Sequence, residues 1–248
     1  VAEHRATIVT LLVDNAVEVM RHPRARDHDL TSLRTTSVCS FVKKLGAAFR
    51  NEWRALTGAT MVELAYGMTE TNTCDTFTLG LQDDDYDLQQ QPVFVGLPVP
   101  ETDIIICDFE TGALKPIGET GEICLRSPSV LKSYWNKPDA TAHALRDGWL
   151  HTGDIGLVNT RGFVHYLGRR KEMLKVNGMP VFPTEIEMLL GRHPAILGSG
   201  VIGRKDEAKG EVPVAFVHLD PEQAHGIDAD SLRAWCREQM ASFKVPEI

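Results

Sequence analysis

Long apolar runs are missing from this chain. No stretch approaches the ~20 residues that a membrane-spanning helix needs, so no transmembrane segment is expected. A cationic excess is missing too. The net charge is −8, which disfavours a phosphate-backbone partner and argues against nucleic acid. Cysteine is sparse, with Cys39, Cys74, Cys107, Cys124 and Cys236 forming no C-x-x-C pair. That odd, scattered set argues against a disulfide framework or a structural zinc motif. It suggests reduced thiols in a cytoplasmic protein. No secretory start is present, since Val1-Ala2-Glu3-His4-Arg5 lacks a basic opening and an apolar stretch. An initiator methionine is also absent, so a piece of a longer protein is expected.

What is present suits a folded domain. The 248 residues are 43% hydrophobic and 24% charged, enough for one large domain or two modest ones. Residues 7–20 read as a helix carrying Ile8, Leu11, Leu12, Ala16 and Val19, stopped by Pro23. Phe41, Leu45, Ala48, Phe49 and Trp53 recur at helical spacing, and Thr57-Gly58 ends that helix. A short strand, Thr60 to Ala65, runs into Tyr66-Gly67, and strand-end loops are where α/β folds place binding groups. From 93 to 168, short apolar runs such as Ile104-Ile105-Ile106 and Phe163 to Leu167 alternate with glycine turns, which predicts a small antiparallel β-rich subdomain. Beyond Arg170 the pattern predicts a hairpin around Gly178 and a helix from Pro183. A capping box of Thr184 with Glu187 is expected to start that helix. Strands near 200–203 and 212–219 and a helix over 231–240 follow. Residues 171–248 are thus expected to form an α+β lobe joined to residues 1–170 at a short charged hinge.

Three polar segments carry the chemistry. In Tyr66-Gly67-Met68-Thr69-Glu70, the ring of Tyr66 can stack on a base and Gly67 permits close backbone approach. The Thr69 hydroxyl can bond a phosphate, and Glu70 offers a hard oxygen to Mg2+. In Thr152-Gly153-Asp154, a carboxylate on a tight glycine turn can accept both hydroxyls of a ribose. In Gly168-Arg169-Arg170-Lys171-Glu172, Arg169 can fork onto ribose or phosphate oxygens, with Lys171 and Lys175 beside it. Each segment alone also reads as an ordinary turn or a solvated charged junction.

Their order decides between these readings. With Val95-Gly96-Leu97-Pro98, Gly118 to Ile123, Tyr134-Trp135-Asn136-Lys137-Pro138, Gly148 to Gly156, Gly178 and Glu185-Ile186-Glu187, they make the chain resemble the adenylate-forming superfamily. That superfamily includes acyl- and aryl-CoA ligases, peptide-synthetase adenylation domains and luciferases. The resemblance runs along nearly the whole chain and is nearest to an acyl-CoA ligase. It implies α/β and α+β architecture: the C-terminal part of a large AMP-binding domain with a small β-barrel-like subdomain, then a mobile C-terminal lobe. It further implies that ATP and Mg2+ activate a carboxylic acid as acyl-AMP, which a thiol, usually that of CoA, then attacks.

Carried over by motif, Tyr66 and Gly67 lie near the adenine, Thr69 contacts phosphate, Glu70 holds Mg2+, and Asp154 and Arg169 serve the ribose. Lys171 takes the hinge position, Gly178 the approach of CoA, and Lys175 faces the second half-reaction. Thr71, Thr73 and Cys74 line the acyl pocket. The resemblance leaves room for a homodimer.

Two motifs of that family are not in this sequence: the phosphate loop expected well before Tyr66, and the catalytic lysine expected after Pro246-Glu247-Ile248. The chain alone is therefore expected to adenylate negligibly. Ser37-Val38-Cys39-Ser40-Phe41 also replaces a Gly-Ala-Pro-like loop. The other functions weighed are an adenylation domain loading a carrier protein and a non-catalytic nucleotide-binding relative.

Overall fold

The computed structural model describes residues 1–40, 43–72, 74–90, 94–221 and 223–248. The chain divides into two compact units. The first holds Val1–Phe41, Leu45–Thr152 and Gly156–Tyr166, and the second holds Val42–Lys44, Gly153–Ile155 and Leu167–Ile248.

The first unit opens with β1 (Ile8–Leu12) and α1 (Val13–Arg21), where the sequence predicts one continuous helix. The run Ile8 to Leu12 is taken into a parallel ladder with β2 (Thr35–Cys39), pairing Ile8 with Thr35 and Leu12 with Cys39. Only from Val13 does the helical period govern burial, through Val13, Ala16 and Val17. Apolar residues at positions 8, 11 and 12 fit both periods, and the ladder decides.

The helix predicted to start near Phe41 begins instead at α2 (Ala47–Thr57), behind Gly46; Phe41 itself lies outside the described residues. Its end is as expected: Gly58 takes φ 78° and its N–H bonds the Arg54 carbonyl. Trp53 is buried with its indole N–H on Thr36 Oγ1 at 2.9 Å. Arg50, wholly buried on the same helix, reaches Asp85 just before α3 (Tyr86–Gln89) and Asp87 within it.

β3 (Met61–Tyr66) continues the parallel run, and β4 (Thr76–Phe77) and β5 (Phe94–Pro98) turn it antiparallel. The β-rich stretch expected over 93–168 supplies β5, β6 (Asp103–Cys107), β7 (Gly121–Arg126), α4 (Pro138–Ala144), β8 (Leu145–Arg146), β9 (Trp149–Val158) and β10 (Val164–Arg169); Val93 lies outside the described residues. The strand path reads β1-β2-β3-β4-β5-β10-β9-β7-β6, with β8 on β9. Gly96 explains one motif position. It has φ 89°, and a Cβ there would sit 2.1 Å from the Phe77 carbonyl oxygen, so only glycine lets β5 approach β4.

The second unit is a four-stranded sheet, β12-β11-β14-β13, with two helices. β11 (Leu174–Val176) and β12 (Met179–Val181) form the predicted hairpin, followed by α5 (Pro183–Leu190), β13 (Ile196–Asp206), β14 (Gly210–Leu219) and α6 (Ala229–Gln239). The Thr184–Glu187 capping box does not form. α5 starts with Pro183 at its first position, preceded by Phe182 without a side-chain cap. Glu187 Oε1 accepts the Val201 N–H at 2.8 Å instead. The capping box of this unit is on α6, between Asp228 and Ser231. Its core gathers Val181, Ile186, Leu190, Val201, Leu232 and Cys236.

Candidate functional site

Two groups of predicted site residues stand on separate units. In the first unit, β3 ends at Tyr66, and a one-turn 3-10 segment follows over Thr69–Thr71. The loop closes on itself: the Asp75 N–H donates to the Tyr66 carbonyl at 2.8 Å, and the Thr71 hydroxyl donates to Asp75 Oδ2 at 2.7 Å. The Tyr66 ring is buried and tilted against Tyr166, with centroids 5.6 Å apart. Gly67 and Thr69 are exposed at the start of the loop.

Glu70 is held at both ends. Its carbonyl accepts the Leu131 N–H at 2.6 Å, and its Oε1 accepts the Tyr134 hydroxyl at 2.8 Å. One carboxylate oxygen is thereby oriented, and a hard anionic donor of this kind fits a divalent cation. Burial, then the hydrogen bond to the Glu70 carboxylate, pushes the Tyr134 phenol up to about 12, so Tyr134 stays a donor. Tyr134 stands in a quoted motif but received no role there. Its partner is distant in sequence, and no local spacing signals the pair.

The expected acyl-pocket residues differ in their surroundings. Thr71 is buried and committed to Asp75. The Cys74 thiol donates to the Thr76 carbonyl at 2.7 Å, and burial raises its pKa. Thr73 lies outside the described residues. Asp75, unremarked in the sequence, is fully buried; its Oδ1 has no hydrogen-bond partner among the described residues, and burial raises its pKa.

In the second unit, Asp154 and Arg169 come together. Arg169 Nε lies 3.4 Å from Asp154 Oδ1, with the carboxylate side chain 6% exposed and the guanidinium side chain 63% exposed. Asp154 does not stand on a tight turn, as its sequence suggests. The turn is at Asp147-Gly148, whose φ values are 51° and 80°, between β8 and β9. Asp154 lies inside β9, where Gly153 at φ 74° interrupts the regular strand geometry.

Arg170, Lys171 and Glu172 form a single 3-10 turn, and Lys171 is exposed. Lys175 projects from β11 into solvent while its N–H donates to Glu211 Oε2 at 2.8 Å. Gly178 is the second residue of the β11–β12 turn. Asn177 and Gly178 take φ 52° and 77°, the left-handed pair that a two-residue hairpin requires.

The profile of the AMP-binding enzyme family matches residues 1–135, and that of the AMP-binding enzyme C-terminal domain matches residues 185–248. A long-chain-fatty-acid–CoA ligase of Bacillus subtilis (strain 168) is 34% identical over 247 residues, covering 99% of this chain and 42% of the relative. 4-Coumarate–CoA ligase 1 of Glycine max is 33% identical, covering 98% of this chain and 81% of that one. Among solved structures, the anthranilate CoA ligase AuaEII in complex with anthranoyl-AMP superposes with a TM-score of 0.77 at 31% identity, covering 99% of this chain and 46% of that one. The chain thus spans less than half the length of the first curated relatives it matches. Among the described residues, no helix is long and apolar enough to cross a membrane.

Proposed function

The chain belongs to the AMP-binding enzyme family, and from that premise we propose that it serves an ATP-dependent acyl-CoA ligase acting on a fatty or aryl carboxylic acid. The relatives support the reaction class: one is named for long-chain fatty acids, another for 4-coumarate. The observation that carries the reading on this chain is the Asp154–Arg169 pair. A nearly buried carboxylate beside an exposed guanidinium is a fixed acceptor with a solvent-facing cation next to it. Such a pair suits a ribose diol, with Asp154 accepting the hydroxyls and Arg169 reaching a ribose or phosphate oxygen.

In the first unit, Glu70 would hold Mg2+ together with substrate phosphate oxygens, and Tyr134 fixes the carboxylate for that task. Thr69 donates to phosphate, and Tyr66 with Gly67 borders the adenine. Mg2+ supplies charge neutralisation on the phosphoryl oxygens when bound. Thr71, Thr73 and Cys74 are assigned to the acyl pocket. In the second unit, Lys171 takes the hinge role, Gly178 offers an unobstructed backbone to the CoA arm, and Lys175 provides a solvent-facing cation for thioester formation.

Titration of the purified chain with AMP tests this assignment. Removing an acceptor of charge-assisted hydrogen bonds costs about 1.5–3 kcal/mol, so Asp154→Ala should weaken AMP binding by at least ~10-fold. A folded wild-type chain that takes up no AMP, or a variant that binds equally well, overturns it.

A further inference from the structure

The sheet formed by β6, β7 and β9 carries a cluster that none of the roles above uses. Glu122 and Cys124 are alternate residues of β7 and share one face. His151 arrives from β9, the neighbouring strand. Its Nδ1 lies 2.8 Å from Glu122 Oε2 and 3.3 Å from Cys124 Sγ. The three donor atoms lie within 4.8 Å of one another. Glu122 and Cys124 are buried, and the His151 side chain is 9% exposed. We propose that Glu122, Cys124 and His151 form a zinc-binding site with three protein ligands and an open fourth position.

The donor chemistry selects the ion. A thiolate, an imidazole and a carboxylate together suit Zn2+, whereas Mg2+ and Ca2+ prefer oxygen alone. The geometry is close to what that ion requires. With ordinary zinc–ligand lengths, tetrahedral edges are about 3.4 Å for N–O and about 3.6 Å for N–S. The existing contacts must therefore open by roughly half an ångström and about a third of one. Binding would release the Cys124 thiol proton, and any proton carried on Nδ1, to solvent as the ion takes their place. Ligand side chains fixed on adjacent strands lose little freedom on binding.

Arg146 Nη2, 3.5 Å from Glu122 Oε2, lies on the side open to solvent, its side chain 36% exposed. As a cation beside the carboxylate, it opposes the ion, which makes it an internal control that is not a ligand. No C-x-x-C spacing announces this site, because the sheet and not the sequence brings its members together.

The test loads the 248-residue chain with Zn2+, removes excess with a weak chelator and counts metal per chain. Co2+ loading then reports thiolate ligation through a sulfur-to-cobalt charge-transfer band in the near ultraviolet. One ion per chain and a band lost in Cys124→Ser are expected. Glu122→Gln should weaken binding at least ~10-fold, and Arg146→Gln should strengthen it. The proposal is overturned if folded wild-type protein retains no zinc, or if the band persists in Cys124→Ser. Should Cys124→Ser fail to fold by circular dichroism, Glu122→Gln decides: affinity equal to wild type overturns the site. AMP titration of the same variants keeps this outcome separate from that of the nucleotide assignment.

Discussion

Replacing Arg50 by methionine should destabilise the first unit far more than an ordinary surface substitution. The guanidinium is wholly buried. Its Nη1 donates to Asp85 Oδ1 at 2.6 Å and to Asp87 Oδ1 at 2.8 Å, and its Nη2 donates to Asp87 Oδ2 at 2.6 Å. Asp87 is the partner that matters, because its side chain is 2% exposed while that of Asp85 is 28% exposed. Without Arg50, Asp87 keeps, among the described residues, the Gln82 amide at 3.1 Å and the Leu88 N–H at 3.0 Å.

Breaking a buried pair by removing one partner costs about 3–5 kcal/mol. The two surviving donors place this case near the lower end, at about 3 kcal/mol. The partly exposed Asp85 arm adds at most ~1 kcal/mol. Replacing both partners, Arg50→Met with Asp87→Leu, removes the stranded charge and should recover about 2 kcal/mol of that loss. Urea unfolding followed by the fluorescence of Trp53, on the same helix, measures all four corners of the cycle when Trp135, Trp149 and Trp235 are replaced by phenylalanine in every protein compared. A single variant losing under ~1 kcal/mol, or a double variant no more stable than Arg50→Met, would refute the view that the stranded Asp87 charge dominates.

Other expected outcomes concern the loop after β3. Asp75 has its pKa raised by burial, against the opposing effect of the Thr71 hydrogen bond. A raised folded-state value contributes stability that is full below the unfolded carboxylate pKa and is lost as pH rises through the folded one. Asp75→Asn should therefore gain stability relative to wild type at neutral pH, with the gain shrinking on acidification, as read from urea midpoints across pH; a pH-independent difference contradicts it. Tyr134, raised to about 12 by burial and by Glu70, contributes stability that is complete below the usual phenol value near 10 and lost as pH climbs through about 12. Tyr134→Phe should abolish that alkaline step in thermal melts, and it should also weaken Mg2+-dependent nucleotide binding by releasing the Glu70 carboxylate. Equal Mg2+ dependence in both proteins would count against the positioning role of Tyr134.

Much of the molecule is readable from local pattern, because some residues impose local geometry by themselves. Gly58 ends α2, the Asn177-Gly178 pair turns the β11–β12 hairpin, and the apolar runs at 104–106 and 163–167 become strands. Local pattern misleads where two rules fit one stretch. Ile8 to Leu12 satisfied a helical period and a strand, and pairing with β2 chose the strand. Thr184 and Glu187 had the capping-box spacing, but Pro183 already opened the helix and the Val201 N–H drew Glu187 away. Contacts between distant residues left no sequence signal. Tyr134 on Glu70, Arg50 on Asp87 and His151 on Glu122 exist only because strands or helices far apart in the chain become neighbours.

The pairing of β10 with β5, through Val164 and Gly96, also bears on the order in which the sheet can assemble. Direct closure of that long loop costs about 2 kcal/mol more in chain entropy than closing a tight hairpin such as β13–β14. The cost falls if β6 to β9 order first, because folded elements between the two ends shorten the effective loop. The sheet is then favoured to grow inward from its β6 edge, with β10 joining β5 as the step that ties the antiparallel strands to the parallel ones.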